Sequence, residues 1–118
     1  MRIIERRAQD VVILDLKGRL IIDEGAELLY DKFNSLIFKG HSKVLLNLSG
    51  VPHIDSGALG KLVSCKTAAQ QAKATLKIVG LTDRIVELLT NTKLTREFDT
   101  YDTEEEALAS YMTGAVGP

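Results

Sequence analysis

The segment LLNLSGVPHIDSGALGKLV, residues 45–63, constrains the fold more than any other stretch of the chain. It continues KVLLNL, residues 43–48, an apolar run broken only by Asn47 after its opening lysine. A strand with one wet face alternates apolar and polar residues, so a run that does not alternate is buried on both faces or central in a sheet. A helix is then predicted over about 56–72. Asp55 stands at its start as a good N-cap, able to accept from backbone N–H groups of the first turn. Buried strand, turn and helix in that order form the repeating unit of an α/β domain.

The flanking sequence extends the pattern. Residues 2–7 and 11–17 read as strands, with Val12, Leu14 and Leu16 on one face and Asp15 and Lys17 on the other. Apolar residues at Ala26, Leu29, Tyr30, Phe33, Leu36 and Ile37 recur at helical steps over 24–39, and Gly40 suits a stop. TLKIVG at 75–80 is a strand. A helix from Thr82 carries Ile85, Val86, Leu88 and Leu89, and a short strand falls near 96–101. Thr103 and Glu106 form a capping box for the last helix, with Ala107, Leu108 and Tyr111 inward. The expected fold is a single α/β domain. It has a mixed sheet of four or five strands and about four helices, packed largely on one face. The domain spans 1–112, and TGAVGP at 113–118 is expected to be a flexible tail.

Composition narrows the function. The chain has 118 residues, 45% hydrophobic and 26% charged, with a net charge of −1. By mass, folding reduces its surface from about 18,700 to about 6,300 Å², which leaves room for one independent core. Residues 1–60 hold eight bases and eight acids, and residues 61–118 hold seven and eight. Neither that balance nor the three Phe, three Tyr and absent Trp suits nucleic acid. One Cys and two His are too few for a disulfide framework or a four-ligand His/Cys zinc site. No apolar run reaches the roughly 18–20 residues of a membrane span. The N-terminus MRIIERRAQD is charged where a signal peptide is apolar, so a cytoplasmic protein without cofactor or membrane partner is expected.

The chemistry concentrates at the junction. Ser56 would occupy the first helical position, near the carboxyl end of a strand, where sites in open α/β sheets form. Gly57, Ala58 and Gly60 leave that turn nearly bare, so another surface can approach closely. A phosphate on Ser56 would be tolerated at a helix N-terminus and would add about −1.5 to −2 charge beside Asp55. The plainer reading is capping chemistry with small residues that ease helix packing.

These residues resemble the signature of bacterial anti-sigma factor antagonists, the domain shared with sulfate transporters (STAS). The match runs through Leu46, Leu48, Val51, Ile54, Asp55, Ser56, Gly57, Ala58, Leu59 and Gly60. GRL at 18–20, LKIVGLTDRIVELLTNTKL at 76–94 and FDTYDTEEEALAS at 98–110 resemble the family too. The resemblance implies a non-catalytic partner switch in transcription regulation and stress response. The unphosphorylated antagonist binds an anti-sigma factor that is also a serine-protein kinase, and so frees a sigma factor. Phosphorylation at the serine after Asp55, which is Ser56, releases the antagonist, and a phosphoserine phosphatase resets it. The implied contact surface comprises His53, Asp55, Gly57, Ala58, Leu59 and Gly60, with Ile21, Ile22 and Asp23 of the preceding turn, on a monomer or weak homodimer. The alternative within the family is a scaffold subunit of a stress-signalling assembly or a cytoplasmic partner of a transporter. This chain reads DSGALG where many members read DSSGLG or DSTGLG, and has Ile21 where many carry Asp.

Other chemistries fit less well. A serine hydrolase needs a base and an orienting acid near the nucleophile; His53 lies three residues before Ser56, and no GxSxG elbow is present. Neither GxxxxGK[ST] nor GxGxxG occurs. Cys65 is expected to be a small core residue. The six acids and no base from Glu97 to Glu106 suit a solvated helix start. Ile21 and Ile22 either join the core or flank Ser56 as the apolar centre of an interface.

Overall fold

The computed structural model describes residues 1–22 and 24–112. Strands β1 (Arg2–Ala8) and β2 (Val11–Lys17) form a hairpin, followed by helix α1 (Gly25–Phe38) and strand β3 (Lys43–Gly50). Helix α2 (Ser56–Gln71), strand β4 (Thr75–Val79), helix α3 (Asp83–Asn91), strand β5 (Asp99–Tyr101) and helix α4 (Glu104–Met112) complete the order. The sheet runs β1-β2-β3-β4-β5. The β1–β2 pair is antiparallel, and the other three pairs are parallel. Two residues suffice to reverse the chain after β1. Each parallel step needs a crossover, which α1, α2 and α3 supply.

β3 is the middle strand, as its apolar run requires. Val44, Leu46 and Leu48 point to one face, where α1, α2 and α3 bring Leu29, Phe33, Leu59, Leu62, Cys65, Ile85 and Leu89. Leu45 points to the other face. There a smaller cluster joins it to Val11, Ile13, Val79, Ala107 and Tyr111. α4 is therefore alone on its face, opposite the other three helices. β2 is sandwiched in the same way at Val11 and Ile13 and becomes half-exposed only at Asp15. At about 25 cal/mol per Å² of apolar area, each of these buried Leu, Ile and Phe side chains contributes roughly 1.5–3 kcal/mol.

Helix starts follow their caps. Thr82 Oγ1 accepts from Ile85 N at 3.3 Å, and Thr103 Oγ1 accepts from Glu106 N at 3.1 Å. Of the apolar positions assigned to α3, Ile85 and Leu89 are buried, whereas Val86 is 44% exposed because it lies on the outer side of that stripe. Glu24 caps α1 without a side-chain bond. The expected tail at 113–118 and the contact residue Asp23 lie outside the described residues.

Candidate partner-binding site

The turn after β2 and the junction after β3 are zipped together by backbone. Gly18 N donates to Gly50 O at 3.0 Å, Leu20 N to His53 O at 2.9 Å, and Asp55 N to Leu20 O at 3.3 Å. Leu20 and Ile54 form an isolated parallel bridge, with Leu20 fully buried. This short extra rung brings Ile21 and Ile22 to the start of α2, more than thirty residues away in sequence.

Asp55 fixes both sides of the contact. Its backbone is extended (φ −108°, ψ 170°), which turns the chain into the helix. Oδ1 accepts from Ala58 N at 2.7 Å, satisfying one of the four otherwise unpaired N–H groups of the helix start. Oδ2 accepts from Ile22 N at 3.3 Å. One carboxylate thus caps α2 and holds the neighbouring turn. Ser56 follows as the first residue of α2 and is exposed.

The expected contact residues divide by burial. His53 and Gly60 are exposed, and Asp55, Gly57, Ile21 and Ile22 are half-buried. Ala58 and Leu59 are corrected: each is only 1% exposed and packs in the main core, so neither can touch a partner. They face inward because they lie on the side of α2 that meets the sheet. Ile22 settles against Gly57. A Cβ at Gly57 would stand 2.8 Å from Ile22 Cβ, so the glycine is what permits this close approach. A Cβ at Gly60 would meet nothing within 4 Å. Both isoleucines are half-buried, and Ile22 borders the Ser56 turn.

His53 does not serve Ser56. Its Nδ1 lies 3.1 Å from Arg84 Nη1. Because a guanidinium only donates, Nδ1 accepts and the ring proton sits on Nε2. Among the described residues, no hydrogen bond joins His53 to Ser56. Arg84, from the first turn of α3, borders a cleft of about 280 Å³ with Ile54, Glu87, Leu88 and Asn91. The sequence reading did not single out Arg84, Glu87 or Asn91. They belong to α3, which follows β4, and only the packing of α3 beside the junction brings them there. Cys65 is buried, and burial pushes its thiol up to about 12. No group of three or more His, Cys, Asp or Glu that could hold a metal occurs among the described residues. No helix there is long and apolar enough to cross a membrane.

Comparison with known proteins places this architecture. Residues 2–107 match the STAS domain family, and the chain belongs to it. A Thermotoga neapolitana protein named "Putative anti-sigma factor antagonist TM1081 homolog" is 34% identical over 100 residues, covering 85% of this chain and 88% of the relative. The crystal structure of the corresponding Thermotoga maritima protein superimposes with a TM-score of 0.84 at 30% identity, covering 92% of both chains. The unphosphorylated anti-sigma factor antagonist SpoIIAA shares the fold at TM-score 0.72 and 15% identity, over 96% of this chain and 99% of that one.

Proposed function

We propose that the chain is an anti-sigma factor antagonist, regulatory rather than catalytic, and that phosphorylation of Ser56 controls its binding. The observation that carries this reading is an exposed serine at the first position of α2, pinned by Asp55 and bordered by a bare glycine-rich turn. Unphosphorylated, the turn formed by His53, Asp55, Ser56, Gly57 and Gly60, with Ile21 and Ile22 beside it, docks an anti-sigma factor that is also a serine kinase. The kinase transfers the γ-phosphoryl group of ATP to Ser56 Oγ, which gives up its proton. The product adds about −1.5 to −2 charge next to Asp55 in a close-packed contact. Burying that dianion against a surface fitted to a hydroxyl costs about 3–4 kcal/mol, or two to three decades of affinity. The released antagonist is reset by a phosphoserine phosphatase. The reading places the protein in the cytoplasm as a monomer or weak homodimer. SpoIIAA, similar in fold, has been solved in both unphosphorylated and phosphorylated forms, which supports the type of control proposed.

The test is a tagged pull-down from source-cell lysate with wild type, Ser56→Ala and Ser56→Glu, followed by mass spectrometry of bait and prey. A kinase-like protein should accompany wild type and Ser56→Ala but not Ser56→Glu, and a fraction of wild-type bait should carry one phosphate at Ser56. Equal recovery on all three baits would rule out the switch. The same large assembly on every bait would favour the scaffold role.

A further inference from the structure

Helix α1 has one covered face and one bare one. Gly25, Ala26, Leu29, Phe33 and Leu36 are buried against the core. On the opposite side Glu24, Leu28, Asp31, Ser35 and Phe38 form an exposed stripe, with Glu27 and Lys39 exposed beside it. The stripe advances in alternating steps of four and three residues, the spacing of a seam between two helices. Two of its members are among the large hydrophobic side chains left in water: Leu28 is 47% exposed and Phe38 92%. The outer face of a surface helix ordinarily carries polar residues at such positions.

The stripe is complementary to itself. Leu28 and Phe38, Asp31 and Ser35, and Glu27 and Lys39 each lie symmetrically about position 33. A second α1 laid antiparallel on the first, about a two-fold axis at that position, sets Phe38 of each copy towards Leu28 of the other. It also sets Asp31 towards Ser35 and Glu27 towards Lys39. The first pair is apolar, the second offers a hydroxyl donor to a carboxylate, and the third joins opposite charges. Charge selects the direction. The acids Glu24, Glu27 and Asp31 fall in the first half of the helix, whereas Lys39 caps its carboxyl end and makes no ion pair among the described residues. Glu27 holds Lys61 of α2 through Oε1 at 3.0 Å, which leaves Oε2 for a second cation. A parallel copy would set acid against acid, while an antiparallel one also opposes the two helix dipoles. Ser35, small and near the middle of the stripe, lets the axes approach to the usual 8–10 Å or so.

We infer that the outer face of α1 docks a second copy of this chain as an antiparallel helix pair centred on position 33. Both copies present the same patch, so the contact closes at two. One helix face per copy buries less than the roughly 1,200 Å² of a stable interface, and the dimer is weak, with a Kd on the order of 0.1–1 mM. The contact uses none of the residues of the Ser56 turn and does not depend on the role proposed for Ser56.

Sedimentation equilibrium of the whole chain at low ionic strength, from about 10 µM to about 1 mM, tests this. The weight-average mass should rise from the chain mass of 12.9 kDa towards twice that value. Amide NMR shifts over the same dilution series should centre on residues 24–39. Phe38→Ser should weaken association about tenfold or more, and Lys39→Glu about fivefold or more, since each change counts twice in a two-fold contact. Both side chains are exposed, so the variants keep the fold, and an unchanged melting temperature verifies it. A chain that stays monomeric at the highest concentration would overturn the proposal. So would variants that associate as wild type does, growth beyond two copies, or dilution shifts centred away from α1.

Discussion

Asp55 is the residue on which the candidate site depends, because its two oxygens serve different loops. Replacing it with Ala removes the cap of α2 and the anchor of Ile22 together. The expected cost is about 1–2 kcal/mol, the upper part of the range for N-cap loss, read as a lower urea midpoint at unchanged slope. Cys65 makes a second prediction at this scale. Burial is the main cause that pushes its thiol up to about 12, with the positive charge of Lys61 opposing weakly. Below about pH 9 the thiol is neutral in both folded and unfolded chains, so its contribution to stability is complete there. As pH rises from about 9 towards 12, the unfolded thiol ionises and the buried one does not, and stability falls. At pH 8 a thiol reagent should therefore label the native protein at least about a hundredfold more slowly than the urea-unfolded chain, since labelling waits for the core to open. Labelling at equal rates would contradict the buried placement. The N-cap role of Asp55 and the burial of Cys65 were legible from residue type and helical position. The bond from Ile22 N to Asp55 was not, because nothing in a sequence says which distant turn a free carboxylate oxygen will meet.

At the scale of elements, α4 is attached differently from the other helices. Its cluster is small and partly polar. Tyr111 Oη lies 2.7 Å from Val44 O and 2.8 Å from Thr75 O, so the ring ties α4 across β3 and β4. Lys77, fully buried, stands 4.4 Å from the Tyr111 ring and 5.2 Å from the Tyr101 ring, and donates to Ser110 Oγ at 2.5 Å. Tyr111→Phe keeps the packing but leaves buried carbonyl groups short of a donor. It should cost about 1–2 kcal/mol, with hydrogen exchange in α4 accelerated ahead of the sheet. Uniform acceleration across the chain would show that α4 does not open separately. The sequence locates nearly every element to within a residue or two, since caps, apolar periods and the Gly-rich turns are local signals. It does not show that Lys77 is covered. A lysine in TLKIVG reads as a strand residue facing water until α4 is known to pack over it.

For the whole molecule, strand order equals chain order, so each crossover joins neighbours and α1, α2 and α3 all fall on one side. Right-handed crossovers between successive parallel strands make this side common to all three. The chain then has one shared core and a lighter opposite face, and the Ser56 turn is held by the heavier side. The radius of gyration of 13.0 Å is that expected for one domain of this length, about 13.5 Å. Sedimentation velocity at micromolar concentration should give a species near the chain mass of 12.9 kDa, as a switch requires. A stable large particle from the purified chain alone would instead favour a scaffold.

The sequence by itself determined the elements, the apolar demand for cover on both faces of β3, and the cap at Asp55 that places Ser56 first in α2. These are short-range matters, set by side-chain chemistry over a few residues. Tertiary structure alone decided the rest. It set Ile22 on Gly57 and brought Arg84 to His53. Each of these joins residues far apart in the chain. Which distant groups meet depends on how helices and strands pack together, and local sequence carries no record of that.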